Sequence, residues 1–237
     1  MIRSTPAYIL VLLISGCTRL PIGPEPADSA DPVATVTSAR MPPLVGASPS
    51  ELPDPALFQQ SYDEEAAGRL ETALGALDHL HAAGSSEYVA TLRRGWLLYR
   101  LGKNEDSVVA YGKAATLAPD AVETRLGSLA PLAALRRWND VEVAARDVLG
   151  KDPANYSASL RLAFALYSQA RFADAEVAYR RLSRLYPSDV DVRDGLGWSL
   201  LKLGRASDAA REFAAVLAIA PQNALAQDGM RVVGGHT

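Results

Sequence analysis

Four prolines, Pro119, Pro153, Pro187 and Pro221, stand 34 residues apart without a slip, and the residues between them recur with the same period. A period of this length marks one supersecondary unit that must be stacked on copies of itself to bury an apolar face. Ala73, Ser107, Val141, Ala175 and Ala209 form one series at that spacing. Leu77, Tyr111, Ala145, Tyr179 and Phe213 form a second, and Leu80, Ala114, Val148, Leu182 and Val216 a third. The three series lie four and three residues apart, so they share one helical face. Upstream, Gly95, Leu129, Ala163 and Gly197 precede Leu98, Leu132, Leu166 and Leu200 by three residues, which gives an earlier helix its own stripe. Between the two helices, Gly68, Gly102 and Gly204 suit the left-handed residue that ends a helix; Arg136 and Ala170 take that place in the other units.

This pattern resembles the tetratricopeptide repeat (TPR), a helix–turn–helix unit of about 34 residues. The resemblance implies an all-α, right-handed solenoid of about five units, at 54–87, 88–121, 122–155, 156–189 and 190–223. A capping helix is expected over 224–231 and a disordered tail over 232–237. The first unit departs from the pattern, with Ser85 for the terminal proline and Glu64 where the other first helices carry leucine.

The chain ahead of the repeats reads differently. After Met1-Ile2-Arg3, the apolar run 7–14 is much shorter than the ~20 residues needed to span a bilayer, which fits a signal-peptide core. It leads directly into Ile14-Ser15-Gly16-Cys17, which contains the only cysteine. These residues resemble the lipobox of bacterial lipoproteins; the alternative is an ordinary secretory signal with a chance cysteine. The resemblance implies a signal peptide at 1–16, lipidation at Cys17 and attachment to a membrane. By resemblance to lipoproteins of Gram-negative bacteria, Thr18 in place of an acidic residue after the cysteine implies the periplasmic face of the outer membrane. From 17 to 53 the chain holds eight prolines and no helical or strand periodicity, so a flexible tether is expected. About 36 such residues reach roughly 35 Å.

By resemblance, the first helices of such a solenoid line a concave groove. Two rows on their face hold six aromatics, Tyr62, Trp96, Tyr99, Phe164, Tyr167 and Trp198, of the sixteen Phe, Trp and Tyr in the chain. Large aromatics contribute most to affinity where a partner desolvates them, so these six are the candidate peptide-binding site. The competing reading is that they pack between neighbouring first helices. Ala130, Ala133 and Ala134 make the middle of the groove small, and Pro131 predicts a kink or a late start in that unit's first helix. Charges around the groove are mixed, with Arg93, Arg100, Arg161 and Lys202 against Glu65, Glu123, Asp191 and Asp194.

Several classes of function are disfavoured. A formal net charge of −3 argues against a nucleic-acid binder, and a single cysteine leaves no thiolate metal cluster or intrachain disulfide. His79 and His81 lie two apart and point to different helix faces, and no phosphate loop or nucleophile elbow is present. The expectation is a non-catalytic adaptor with no cofactor and no metal, holding a peptide or helix of another envelope protein. In layout the chain resembles pilus-assembly TPR lipoproteins. Recruitment of a peptidoglycan enzyme or protease, or a self-associating structural solenoid, are the alternatives.

Overall fold

The computed structural model describes residues 54–80 and 85–235, which belong to one compact unit. The expected signal peptide, Cys17 and the tether lie outside the described residues, as do His81 and His236. Among the described residues there are eleven helices and no strand. In chain order they are α1 (Asp54–Ala66), α2 (Leu70–Asp78), α3 (Ser85–Arg100), α4 (Asn104–Leu117), α5 (Val122–Ala134), α6 (Trp138–Lys151), α7 (Tyr156–Ser168), α8 (Phe172–Leu185), α9 (Val190–Lys202), α10 (Ala206–Ile219) and α11 (Ala224–Gly234). Each helix packs on the one before and the one after, and first helices also touch the first helix of the next unit from α3 onward. The result is a solenoid of five helix pairs and a terminal helix, the architecture the 34-residue period predicts.

The turn inside each pair is the same device five times. Gly68, Gly102, Arg136, Ala170 and Gly204 all take positive φ, between 57° and 79°. At the second pair, the Gly102 amide donates to the Tyr99 carbonyl and the Lys103 amide to that of Leu98, both at 2.9 Å. This is the Schellman pairing, which satisfies the carbonyls left open at a helix end. The other four turns repeat it residue for residue. At the turn between pairs, Asn155, Asp189 and Asn223 cap α7, α9 and α11 by accepting from the amides of Ala158, Val192 and Ala226 at 2.8–3.0 Å.

The stacking itself depends on size complementarity. The ring of Tyr111 lies between Gly95 of its own unit and Gly127 of the next, where an added Cβ would come within 3.0 and 2.4 Å of it. Phe213 is held in the same way between Gly197 and Gly229, and Tyr179 sits against Gly195. The third unit inverts the arrangement, with buried Leu129 opposite the small Ala145. Close packing explains the trade, since neither face can gain volume without the other losing it.

Three expectations are corrected. Pro131 does not delay α5, which starts at Val122 in register with α1, α7 and α9 and runs through to Ala134. The ring lies buried in the last turn, where the Leu135 amide still donates to the Pro131 carbonyl at 3.0 Å. Without a proline at 85, α3 begins at Ser85 and reaches sixteen residues, against thirteen in the other first helices. The terminal helix continues to Gly234, so 232–234 are helical rather than part of a tail; Leu225, Ala226 and Gly229 bury its inner face.

Candidate functional site: an aromatic and arginine cluster on the first two units

The first helices carry the six expected aromatics, and the structure divides them. Tyr62 on α1 and Trp96 on α3 are 51% and 41% exposed. Between them runs one connected set of polar groups. The Arg93 guanidinium lies 3.6 Å from the centroid of the Tyr62 ring. Its Nε donates to Ser61 Oγ at 2.8 Å and its Nη1 pairs with Glu65 Oε2 at 3.0 Å. Ser61 Oγ in turn donates to the Ala73 carbonyl at 2.7 Å, which ties the set to α2. Glu65 Oε1 accepts from Trp96 Nε1 at 2.6 Å and from Arg100 Nη1 at 3.2 Å. Arg100 also sits 5.5 Å from the Trp96 ring, and Tyr99 lies 6.1 Å from it at a tilt of 48°.

This geometry fixes the two exposed rings. Glu65 holds the indole edge by a hydrogen bond, while cations over both aromatic faces add attraction of roughly 0.5–2 kcal/mol each. Rigid, exposed aromatics lose little conformational entropy when a partner covers them. Arg93 is only 7% exposed, so it serves as a support beneath Tyr62, and Arg100 is the accessible cation of the cluster.

The second half of the row is different. Phe164 is 7% exposed and packs edge-on against Trp138 at 5.4 Å. Trp198 is 6% exposed and packs against Phe213 at 5.5 Å. Tyr167 is half-buried beside Phe172, and burial pushes its hydroxyl up to about 12. Of the six candidate residues, Phe164 and Trp198 are buried and pack against second-helix rings. Trp138 beside Phe164 begins α6, Phe172 beside Tyr167 begins α8, and Phe213 beside Trp198 lies within α10, so the contacts depend on where two helices meet, which a single helical face does not reveal.

One feature that decides which units carry a groove arginine was present in the sequence. The residues sixteen after Leu77, Tyr111, Ala145, Tyr179 and Phe213 are Arg93, Gly127, Arg161, Gly195 and Gly229. Glycine follows every ring, and arginine follows the two smaller side chains. The space that a ring takes in one unit is available to a long side chain in another.

Charges elsewhere are mostly structural. Glu142 accepts from Arg146 and Arg171, and Glu176 from Arg180 and Arg205, so each acid joins its own helix to the next unit. Burial works against ionisation of Glu142, but the hydrogen bonds from Arg146, Gln169 and Arg171 outweigh it and hold the carboxyl below the usual range. The hydrogen bond from Arg180 leads the same effect at Glu176. Among the described residues there is no grouping of acids and histidines that could hold a metal ion, and no helix long and apolar enough to cross a membrane.

Comparison with known proteins agrees with this architecture. A family model described as tetratricopeptide repeat matches residues 160–224. No curated protein matches the chain. Among solved structures, residues 41 to the end of MamA from Desulfovibrio magneticus RS-1 superpose with a TM-score of 0.67 at 18% identity, covering 72% of this chain and 97% of that one. A tetratricopeptide repeat protein from Parabacteroides merdae ATCC 43184 gives 0.69 at 16% identity, covering 76% and 72%. MamA AMB-1 gives 0.63 at 19%, covering 70% and 98%. Residues 160–224 thus match the tetratricopeptide repeat, and the chain has the fold of a tetratricopeptide-repeat solenoid.

Proposed function

We propose that this protein is a non-catalytic adaptor which binds a peptide or helix of another envelope protein through Tyr62, Trp96, Tyr99 and Arg100. The observation that carries the reading is the exposure of the two rings while their edges and faces are pinned by Glu65, Arg93 and Arg100. Side chains whose only task is packing between units are buried, as Tyr111, Tyr179 and Phe213 are. The lipobox-like Ile14–Cys17 supports a lipid anchor at the periplasmic face of the outer membrane, and the proline-rich 17–53 supports a tether. A solenoid on such a tether suits assembly of a pilus or secretion complex, in which a lipoprotein holds a component beside the membrane.

A photo-crosslinking amino acid placed at Trp96, with the same group at the exposed Val177 as reference, tests the reading in native envelopes. A discrete adduct from position 96 and none from 177 is expected. Adducts from 177 alone would refute the site. For the anchor, Cys17→Ser should abolish labelling by a palmitate analogue, and retained labelling would refute it.

A second reading, self-association of a structural solenoid, is favoured by Val109, Val143 and Val177, which occupy one register of α4, α6 and α8 and are 72%, 61% and 68% exposed. Sedimentation velocity distinguishes the two, since self-association through this row is lost on Val143→Lys.

A further inference from the structure

The cradle that holds Glu65 recurs two units further on without its carboxylate. Glu65 of α1 is gripped by Arg93 and Arg100, which lie two turns apart on one face of α3. At the same registers of α7 stand Arg161 and Ser168, again two side chains that donate. The residues of α5 that correspond to Ser61, Tyr62 and Glu65 are Leu129, Ala130 and Ala133, and none of these side chains can accept.

Both donors are left over. Ser168 Oγ is buried with no hydrogen-bond partner. Arg161 makes no ion pair or hydrogen bond with any described residue, and acts on Asp191 and Tyr179 only through space. Arg93 lies beneath the Tyr62 ring and is 7% exposed; with alanine at that register of α5, Arg161 is covered less and stays half-buried. Ala133 is buried and Ala130 only half so, which leaves Arg161 as the reachable donor and Ala130 as the small residue next to it. A partly desolvated guanidinium without a counter-charge gains most from a carboxylate at hydrogen-bond distance.

We propose that α5 and α7 form a second docking point of the groove, at which Arg161 takes the side-chain carboxylate of an aspartate or glutamate in the bound segment and Ala130 receives the apolar residue beside it. The partner thus supplies in the middle of the array what Glu65 and Tyr62 supply within the first two units. The inference rests on the reading of the first-helix face as a peptide-binding surface. A segment that covers Trp96 and continues along the first helices passes Arg161 as uninterrupted chain, so a side chain and not a chain end provides the carboxylate.

Random peptides displayed with both ends blocked, selected on the full chain, provide the probe. Sequences with an aspartate or glutamate beside an apolar residue should be enriched on the native chain and not on Arg161→Gln. For one selected peptide, synthesised with acetylated and amidated ends, fluorescence anisotropy should show about a tenfold loss when its acid is replaced by the amide. Arg161→Gln should cause a similar loss, and the two changes together no more than either alone. The variant removes no hydrogen bond, so its melting midpoint should hold. A selection that yields no acidic peptides, or losses that simply add, would overturn the proposal. Binding that falls with Trp96→Ala but not with Arg161→Gln refutes the second docking point alone, whereas binding that falls with neither refutes the groove reading as well.

Discussion

The tightest contact between units makes a quantitative prediction. An ideal Cβ on Gly195 of α9 would lie 2.3 Å from both Cε1 and Cζ of Tyr179, which is 3% exposed on α8. Carbon atoms pack at about 3.5–4.0 Å, so in Gly195→Ala the ring must retreat by more than about 1 Å into a filled interior. Overpacking of this kind costs about 1–3 kcal/mol. Against it stands the ordinary gain of about 0.5–1 kcal/mol for replacing glycine with alanine inside a helix. Gly112 of α4 supplies the control, because nothing lies within 4 Å of its added Cβ. Gly112→Ala should therefore show the gain alone, and the two variants should differ by the steric cost. For an array of this size that is a gap in melting midpoint of about 2–12 °C, read by circular dichroism at 222 nm. Tyr179→Leu removes the colliding atoms, so in that background Gly195→Ala should change from destabilising to neutral or stabilising. If Gly195→Ala stabilises the native chain as Gly112→Ala does, or if its cost persists with Tyr179→Leu, the packing argument fails.

Ala170 holds a φ of 60° that glycine adopts freely, so Ala170→Gly should raise the melting midpoint by the equivalent of up to ~1 kcal/mol; a lower midpoint would refute the strain. Leu166 is 3% exposed in the middle of the array, and Leu166→Ala should cost about 2–5 kcal/mol in urea unfolding. Glu142 and Glu176 have carboxyls held below their usual range, so their stabilisation is present above the ordinary value near ~4.3 and is lost as the pH falls through the folded value. Thermal melts from pH 6 down to pH 3 should therefore show a smaller loss for Glu142→Gln/Glu176→Gln than for the native chain. At the candidate site, Trp96→Ala should weaken capture of the crosslinked partner by roughly thirtyfold or more while moving the melting midpoint little, as exposed hot-spot residues do.

Periodicity alone determined the helix pairs and the left-handed position in every turn. These are local properties: a helical face needs only spacing, and a turn needs only a residue that tolerates positive φ. Arg136 and Ala170 show how strong the local frame is, since both adopt that conformation without being glycine. The caps at Asn155, Asp189 and Asn223 were equally open to reading, because they stand 34 residues apart, one residue before 156, 190 and 224.

Accessibility was decided elsewhere. Trp96, Phe164 and Trp198 share one register, yet one is exposed and two are buried. Their fates depend on Trp138 and Phe213, which approach from second helices, and on the ring or gap that the preceding unit presents. Spacing along a chain specifies which way a side chain leaves its helix. How much space it meets is set by the volumes of residues on other helices, and close packing makes that a property of the assembled array.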